Sequence, residues 1–152
     1  MMASPAAYAM IRRFESLRLR SYLDIKGKWT IGYGHKGDDV GSGMIIGLAD
    51  AQRYLEEDAH FVEFQLNRMI LRPVDQWEFD ALISLGFNIG TEALRTSTLL
   101  KFLNFGEMKK AGEEFLKWNK VTLPNGKKVV VPGLTSRRYL ERQYFLTGKM
   151  DP

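Results

Sequence analysis

Three polar residues near the N-terminus, Glu15, Asp24 and Thr30, are of the types that take part in glycoside hydrolysis. That reaction needs two carboxyl groups in unlike surroundings. One stays protonated and gives its proton to the leaving oxygen. The other stays ionised and either activates a water molecule or stabilises the developing positive charge. The three residues are therefore candidates for a catalytic carboxyl pair with a hydroxyl group.

Glu15 is the candidate acid because it borders an apolar helical stripe. Met10, Ile11 and Phe14 fall at helical spacing just before it. Apolar surroundings favour the protonated form of a carboxyl group. Asp24 lies in a polar, turn-rich segment, where we expect it to stay ionised. An acid at the edge of a helix is also commonly a solvated or paired side chain, so the pattern alone leaves both interpretations open.

Thr30 lies in a predicted strand whose residues alternate over 29–34. The alternation places Thr30, Gly32 and Gly34 on one face. The other face carries three apolar or aromatic residues: Trp29, Ile31 and Tyr33. Because Gly32 and Gly34 have no side chains, a polysaccharide could approach the backbone closely there.

The periodicity of the whole chain predicts an α+β fold that is mostly helical, with a small β-sheet near the N-terminus. The predicted helices cover residues 6–19, 49–72, 76–89 between Asp75 and Gly90, 92–104, 107–119 and 135–147, the last ended by Gly148. Strands and turns are predicted over 21–47, including 44–46. A hairpin is predicted at Pro124-Asn125-Gly126, between strands at 121–123 and 129–131.

Composition excludes several classes of chemistry. The 152 residues include no cysteine, which excludes disulfide frameworks, thiol catalysis and thiolate metal sites. The two histidines, His35 and His60, do not have the spacing of a HExxH metal site. We therefore expect no metal and no cofactor. The N-terminal stretch is too short and too weakly apolar to predict a signal peptide or a spanning helix.

The net charge of +4 is unevenly distributed along the chain. Residues 1–94 hold 10 basic and 13 acidic residues, whereas residues 95–152 hold 12 basic and 5 acidic ones. A basic C-terminal half favours an anionic partner, such as a cell-wall polymer, a lipopolysaccharide or a nucleic acid. A solvated helical surface explains the same excess equally well.

The spacing Glu-x8-Asp-x5-Thr, followed by Ile-Gly-x-Gly-His, resembles the signature of the phage lysozymes of glycoside hydrolase family 24. The residues that carry it are Glu15, Asp24, Thr30, Ile31, Gly32, Gly34 and His35. Residues 80–90 resemble the helix that lines the family's cleft from the opposite lobe. Residues 132–138, together with Glu141, are similar to its closing segment. The resemblance spans nearly the whole chain.

This resemblance implies a muramidase that cuts the β-1,4 bond between N-acetylmuramic acid and N-acetylglucosamine in peptidoglycan. Glu15 would be the general acid, while Asp24 as base and Thr30 would hold the attacking water. Such an inverting scheme needs carboxyl groups about 6.5–9.5 Å apart. The implied architecture is a single lysozyme domain over 1–152. A small lobe covers about 15–60, a connecting helix about 49–72, and a helical lobe about 73–152 plus the N-terminal helix, with the cleft between the lobes.

The same resemblance implies six candidate substrate-binding residues: Gly32, His35, Phe87, Asn88, Thr98 and Arg137. For His35 the alternative is a structural hydrogen-bonding role behind the sheet. For Phe87 it is ordinary helix packing. Arg137 matches a position that pairs with the catalytic glutamate in relatives, and its alternative is a surface pair with Glu141 at i,i+4.

Partners and location follow from the resemblance as expectations. The protein would be a monomeric endolysin with peptidoglycan as its substrate and no nucleic-acid partner. It would stay in the host cytoplasm until release and then act in the periplasm. A lytic transglycosylase, a bacterial antibacterial effector and a non-catalytic wall- or nucleic-acid-binding module are the alternatives. Asp24 and Thr30 favour hydrolysis, because a transglycosylase has no use for a water-holding pair.

The last predicted helix raises the possibility of contact with an outer membrane. Its charge would come from Arg137, Arg138, Arg142 and Lys149. Its apolar area would come from Tyr139, Leu140, Tyr144, Phe145 and Leu146. The alternative is that this helix packs inward, as most amphipathic helices of small domains do.

Overall fold

A computed structural model describes residues 1–150 as an α+β fold, which confirms the predicted fold class. The elements in chain order are α1 (Pro5–Phe14), β1 (Arg18–Leu23), β2 (Trp29–Gly32), β3 (His35–Lys36), α2 (Leu48–Met69), α3 (Gln76–Ile89), α4 (Thr91–Arg95), α5 (Thr98–Asn104), α6 (Met108–Glu114), a 3-10 turn (Phe115–Lys117), β4 (Lys120–Thr122), β5 (Lys128–Val130) and α7 (Pro132–Thr147). No helix within the described residues combines the length and the apolar composition needed to cross a membrane.

The N-terminal sheet is antiparallel in the order β1-β2-β3, so β2 is the central strand. Thr30 on β2 is paired with Tyr22 on β1 and with Lys36 on β3. Side chains of paired residues lie on the same face of a sheet. The sheet therefore places Tyr22, Thr30 and Lys36 side by side.

Two apolar clusters support the fold, and α2 takes part in both. The small cluster packs Ile31, Val40 and Tyr54 beneath the sheet. The large cluster packs the helices, with Leu55, Val62 and other α2 residues joining α1, α3, α5, α6 and α7. Helix α2 thus supports the sheet through Tyr54 and belongs to the helical core from Leu55 to its end.

Helix α1 is shorter than predicted. It ends at Phe14, and Glu15 is its C-cap: the backbone is extended there, and the Glu15 N–H donates to Ile11 O at 2.8 Å. The predicted extension to residue 19 is wrong: Leu17 is 37% exposed and lies outside the helix, and residues 18–19 already belong to β1. The catalytic candidate therefore lies at a helix-to-strand junction.

Most other predicted elements are present with shifted bounds. The α3 helix starts after Asp75 and ends at Gly90, and α7 ends at Gly148, as predicted. The predicted helix at 92–104 is divided because Ser97 Oγ accepts from Leu100 N at 3.1 Å and caps a new helix. The α2 helix ends at Met69 instead of residue 72, and α7 begins at Pro132 instead of residue 135. The predicted helix over 107–119 ends in the 3-10 turn, and the two hairpin strands lie one residue earlier than predicted. Residues 44–46 form one bridge, between Arg20 and Ile45, instead of a strand.

Candidate active site

Glu15 lies between the sheet and the helical core with its side chain 17% exposed. Its Oε2 accepts from Arg137 Nη1 at 3.1 Å, across 122 residues of sequence. Its Oε1 lies against Gly34, where an added Cβ would come within 2.5 Å of that oxygen. Gly34 also has a φ of +80°, which favours glycine. Because residue 34 is glycine and has no side chain, there is room beside it for the carboxyl group of Glu15.

A buried polar network holds the arginine that contacts Glu15. Arg137 is 2% exposed, and its Nε donates to Glu141 Oε2 at 3.1 Å. Its Nη2 donates to Ser84 O at 3.1 Å. Arg138, fully buried, lies with Nε 2.7 Å from Glu141 Oε1, and burial lowers the pKa of Arg138 although Glu141 opposes this. Arg137, Arg138, Glu141 and the carboxyl group of Glu15 therefore form one connected polar network beneath the site.

These contacts correct two expectations. The setting of Glu15 is not only apolar, since a guanidinium group contacts its carboxylate directly. The pair between Arg137 and Glu141 exists, but it is buried and occurs together with the contact to Glu15. The alternative of a solvated surface pair is therefore wrong.

Asp24 is held by its own turn. Its Oδ1 accepts from the backbone N–H groups of Lys26 at 2.9 Å and Lys28 at 2.8 Å. Its Oδ2 lies 3.6 Å from Lys36 Nζ, and the Asp24 side chain is 15% exposed. Hydrogen bonds from two backbone N–H groups hold a carboxyl group in one orientation. Asp24 is therefore positioned by its own turn, next to Lys36.

Thr30 is buried on β2, with 1% of its surface exposed. Its hydroxyl donates to Lys28 O at 3.0 Å, in the same turn that holds Asp24. A hydroxyl that has used its one hydrogen in this way can still accept a hydrogen bond from another group. Thr30 is therefore oriented as an acceptor next to the Asp24 turn.

Tyr22, which lies beside Thr30 in the sheet, was not among the residues that the sequence singled out. Burial raises the pKa of its hydroxyl, and the negative charge of Glu15 adds to this. Arg18 lowers that pKa, whereas Asp24 raises it further. Tyr22 is the strand partner of Thr30, and its hydroxyl lies within the electrostatic range of both Glu15 and Asp24. The signal available in the sequence was an aromatic residue two positions before Asp24.

His35 packs behind this arrangement with both ring nitrogens engaged. Nδ1 lies 2.7 Å from Asp58 Oδ2, and Nε2 lies 3.1 Å from Asp39. The ring stacks on Tyr54 at a centroid distance of 4.1 Å. Burial lowers the pKa of His35, but the hydrogen bonds to Asp58 and Asp39 outweigh it, so the pKa is raised. These contacts match the structural alternative given for His35.

Gly32 is buried and faces α2. Its φ is +67°, and an added Cβ would lie 3.6 Å from Ala51 Cβ. This conformation also ends the alternation of the strand. Ile31 packs in the small cluster, whereas Tyr33 packs against the large one, so the predicted common face is wrong.

The other predicted substrate contacts lie on the helical side. Phe87 and Asn88 are half-buried in the last turn of α3, and Phe87 also packs against the large cluster. Thr98 is exposed at the first position of α5. Within residues 1–150, the histidine and carboxylate side chains form no group of three that could hold a metal ion.

Comparison with known proteins gives matches over almost the full chain. The family model described as phage lysozyme matches residues 12–141. An endolysin of Acyrthosiphon pisum secondary endosymbiont phage 1 is 43% identical over 93% of this chain and 96% of its own length. An endolysin of Bacillus phage B103 is 41% identical over 96% of this chain, which spans 54% of that protein. The structure of an endolysin from Escherichia coli O157:H7 phage FAHEc1 is 38% identical, with a TM-score of 0.90 over 100% of this chain and 98% of that one.

Proposed function

Because this chain belongs to the phage lysozyme family, we propose that it hydrolyses the β-1,4 bond between N-acetylmuramic acid and N-acetylglucosamine with inversion. It is a glycoside hydrolase of the lysozyme type, and the family implies peptidoglycan as its substrate. One observation carries the assignment of roles. The carboxyl group of Glu15 is fixed from the helical side by Arg137, while that of Asp24 is fixed from the sheet side by a turn.

Glu15 acts as the general acid in this proposal. Its Oε2 accepts from Arg137, and an oxygen that faces an N–H donor does not present a proton there. The transferable proton therefore sits on Oε1, beside Gly34. The glycosidic oxygen that receives it must lie within hydrogen-bond reach of Oε1.

Asp24 acts as the base. Its Oδ1 already accepts two backbone N–H groups, so Oδ2 is the oxygen left to take a proton from water. Thr30 donates to Lys28 O and can accept from the same water, which gives that water two partners. Attack then occurs on the sugar face opposite Glu15, which is the geometry of inversion.

The six substrate-contact candidates divide into two groups under this proposal. Phe87, Asn88 and Thr98 contact the glycan from the helical lobe, across a cleft from the small lobe. Gly32, His35 and Arg137 position other residues, because their contacts in the protein already engage them. The cleft between a lobe at about 15–60 and a helical lobe at about 73–152 is part of the proposal.

The relatives named above are endolysins, and endolysins act on peptidoglycan after release. We extend this to a monomer that stays in the host cytoplasm until release and then works in the periplasm. The comparisons favour neither the lytic transglycosylase nor the bacterial effector.

Mass spectrometry of the products from purified peptidoglycan tests the reaction type. Hydrolysis predicts muropeptides with reducing ends, because water supplies the new hydroxyl group. A Glu15→Gln variant serves as the control without activity. Products that end in 1,6-anhydro-N-acetylmuramic acid would contradict hydrolysis and support the transglycosylase.

A further inference from the structure

A concave surface lies at the C-terminal end of α2, and its lining includes none of the three candidate catalytic residues. It encloses a cavity of about 870 Å³ between α2 and α5. The lining residues, here called the α2–α5 groove, are Gln65, Arg68, Met69, Leu71, Arg95, Leu100, Lys101, Asn104 and Phe105. The groove is open enough and large enough to admit part of a ligand.

The charge of the groove has one sign. Three of its lining residues are cationic and none is acidic. Arg95 is neutralised by Glu92, whose Oε2 accepts from Arg95 Nε at 3.0 Å. Within residues 1–150, Arg68 and Lys101 form no ion pair. Two uncompensated cations therefore face this concavity.

Large apolar side chains project around these cations. Leu71 is 77% exposed and Phe105 84% exposed at the groove itself. Phe61 and Phe64, each 58% exposed, continue the surface along α2 at helical spacing from Arg68. The guanidinium carbon of Arg68 lies 5.5 Å from the centre of the Phe64 ring.

We propose that the α2–α5 groove, extended by Phe61 and Phe64, binds an anionic phospholipid membrane surface. Interfacial binding combines phenyl and leucine side chains that enter the acyl boundary with cations that meet the headgroups. The groove supplies both, and its charge is complementary to phosphate groups. The proposal does not depend on the proposed catalytic roles.

The last helix presents fewer free positive charges to a membrane than the sequence predicts. Arg137 and Arg138 are buried, and Arg142 pairs with Glu113. Three of the four charges on which the sequence expectation depended are therefore engaged within the protein.

Cosedimentation with phosphatidylcholine vesicles, with and without phosphatidylglycerol, tests the proposal. The protein is expected to bind only the vesicles that contain phosphatidylglycerol. The double variant R68Q/K101Q should weaken binding about 25-fold, since each cation near an anionic surface contributes about fivefold. The matched control K127Q/K128Q removes the same charge from the exposed β4–β5 hairpin and should weaken binding much less. Phe64→Ser should also weaken binding, whereas Val130→Ser, at another exposed apolar side chain, should not.

Equal losses for the two double variants would contradict the proposal, because they would mean that net charge alone drives binding. Failure of the unaltered protein to bind the anionic vesicles would also overturn it. A dimer in analytical ultracentrifugation that Phe64→Ser abolishes, without vesicle binding, would assign the surface to a second copy of this chain instead. Native circular dichroism spectra of all variants establish that each one folds.

Discussion

The two carboxyl groups of the site are held in opposite ways. Asp24 is held by backbone N–H groups two and four residues further along the chain, within a single turn. Glu15 is held by Arg137 on α7, which in turn is held by Glu141 on the same helix and by Ser84 on α3. One carboxylate is positioned locally and the other by the completed fold.

This difference has consequences for stability and for chemistry. The Asp24 turn is near the surface, so changing it should affect the reaction more than the fold. The network under Glu15 is buried, so removing one of its charges leaves another without a partner. Mutations on the two sides should therefore separate loss of activity from loss of stability.

Glu15→Gln should give the largest effect on activity. The amide keeps the shape of the side chain, but its N–H groups are far too weakly acidic to protonate the leaving oxygen, so activity should fall by about 10²–10⁴-fold or more. The assay is clearing of cells stripped of their outer membrane. A thermal unfolding curve close to that of the unaltered protein would show that the loss is chemical. Clearing at the normal rate would exclude Glu15 as the acid.

Asp24→Asn should be nearly as severe for activity while sparing the fold. The amide oxygen can still accept the N–H groups of Lys26 and Lys28, but the negative charge that takes a proton from water is gone. The comparison is between turnover of purified peptidoglycan and urea unfolding of the same preparation. Substantial activity in this variant would remove Asp24 from the role of base.

Glu141→Gln should affect stability more than any change at Asp24. It leaves Arg137 and Arg138 buried with too little negative charge, and breaking a buried ion pair costs about 3–5 kcal/mol. Urea unfolding measures the change in the free energy of unfolding. Glu113→Gln, which breaks the solvent-exposed pair with Arg142, is the matched control and should change little. Similar losses in the free energy of unfolding of both variants would show that the buried network contributes no more to stability than the exposed ion pair.

The smallest expected effect is a pH dependence from His35, on the sheet side. Its pKa is raised in the folded protein by Asp58 and Asp39 against the effect of burial. The stabilisation is therefore fully present below the unfolded pKa of about 6.5 and is lost as the pH rises through the folded value. As the pH rises across this range, the free energy of unfolding measured in urea should fall more steeply for the unaltered protein than for His35→Asn. Parallel curves would mean that His35 adds no pH dependence.

The sequence predicted much of this arrangement where the determinants are local. The helix stops at Gly90 and Gly148 and the N-terminal sheet all follow from neighbouring residues. The candidate site came from the resemblance of the Glu15, Asp24 and Thr30 spacing to that of a known family, and the structure places Asp24 in a turn and Thr30 on a strand.

The rest depends on contacts that local patterns do not contain. Leu17 falls at helical spacing from Phe14, yet the helix ends at Phe14 and β1 pairs with β2 from Arg18 onward. Gly32 and Gly34 were predicted to expose backbone to a sugar, whereas they make room for α2 and for Glu15. The network of Arg137 and Ser84 joins residues 53 positions apart, and Arg137 reaches Glu15 across 122.

The anomeric configuration of the first products tests the central account most directly, since it depends on both carboxyl groups acting from opposite sugar faces. Proton NMR of purified glycan strands, recorded immediately after the enzyme is added, follows the new reducing ends before mutarotation mixes them. Inversion of the β-linkage predicts that the α-anomer appears first. First appearance of the β-anomer would mean retention, and would contradict the division of roles between Glu15 and Asp24.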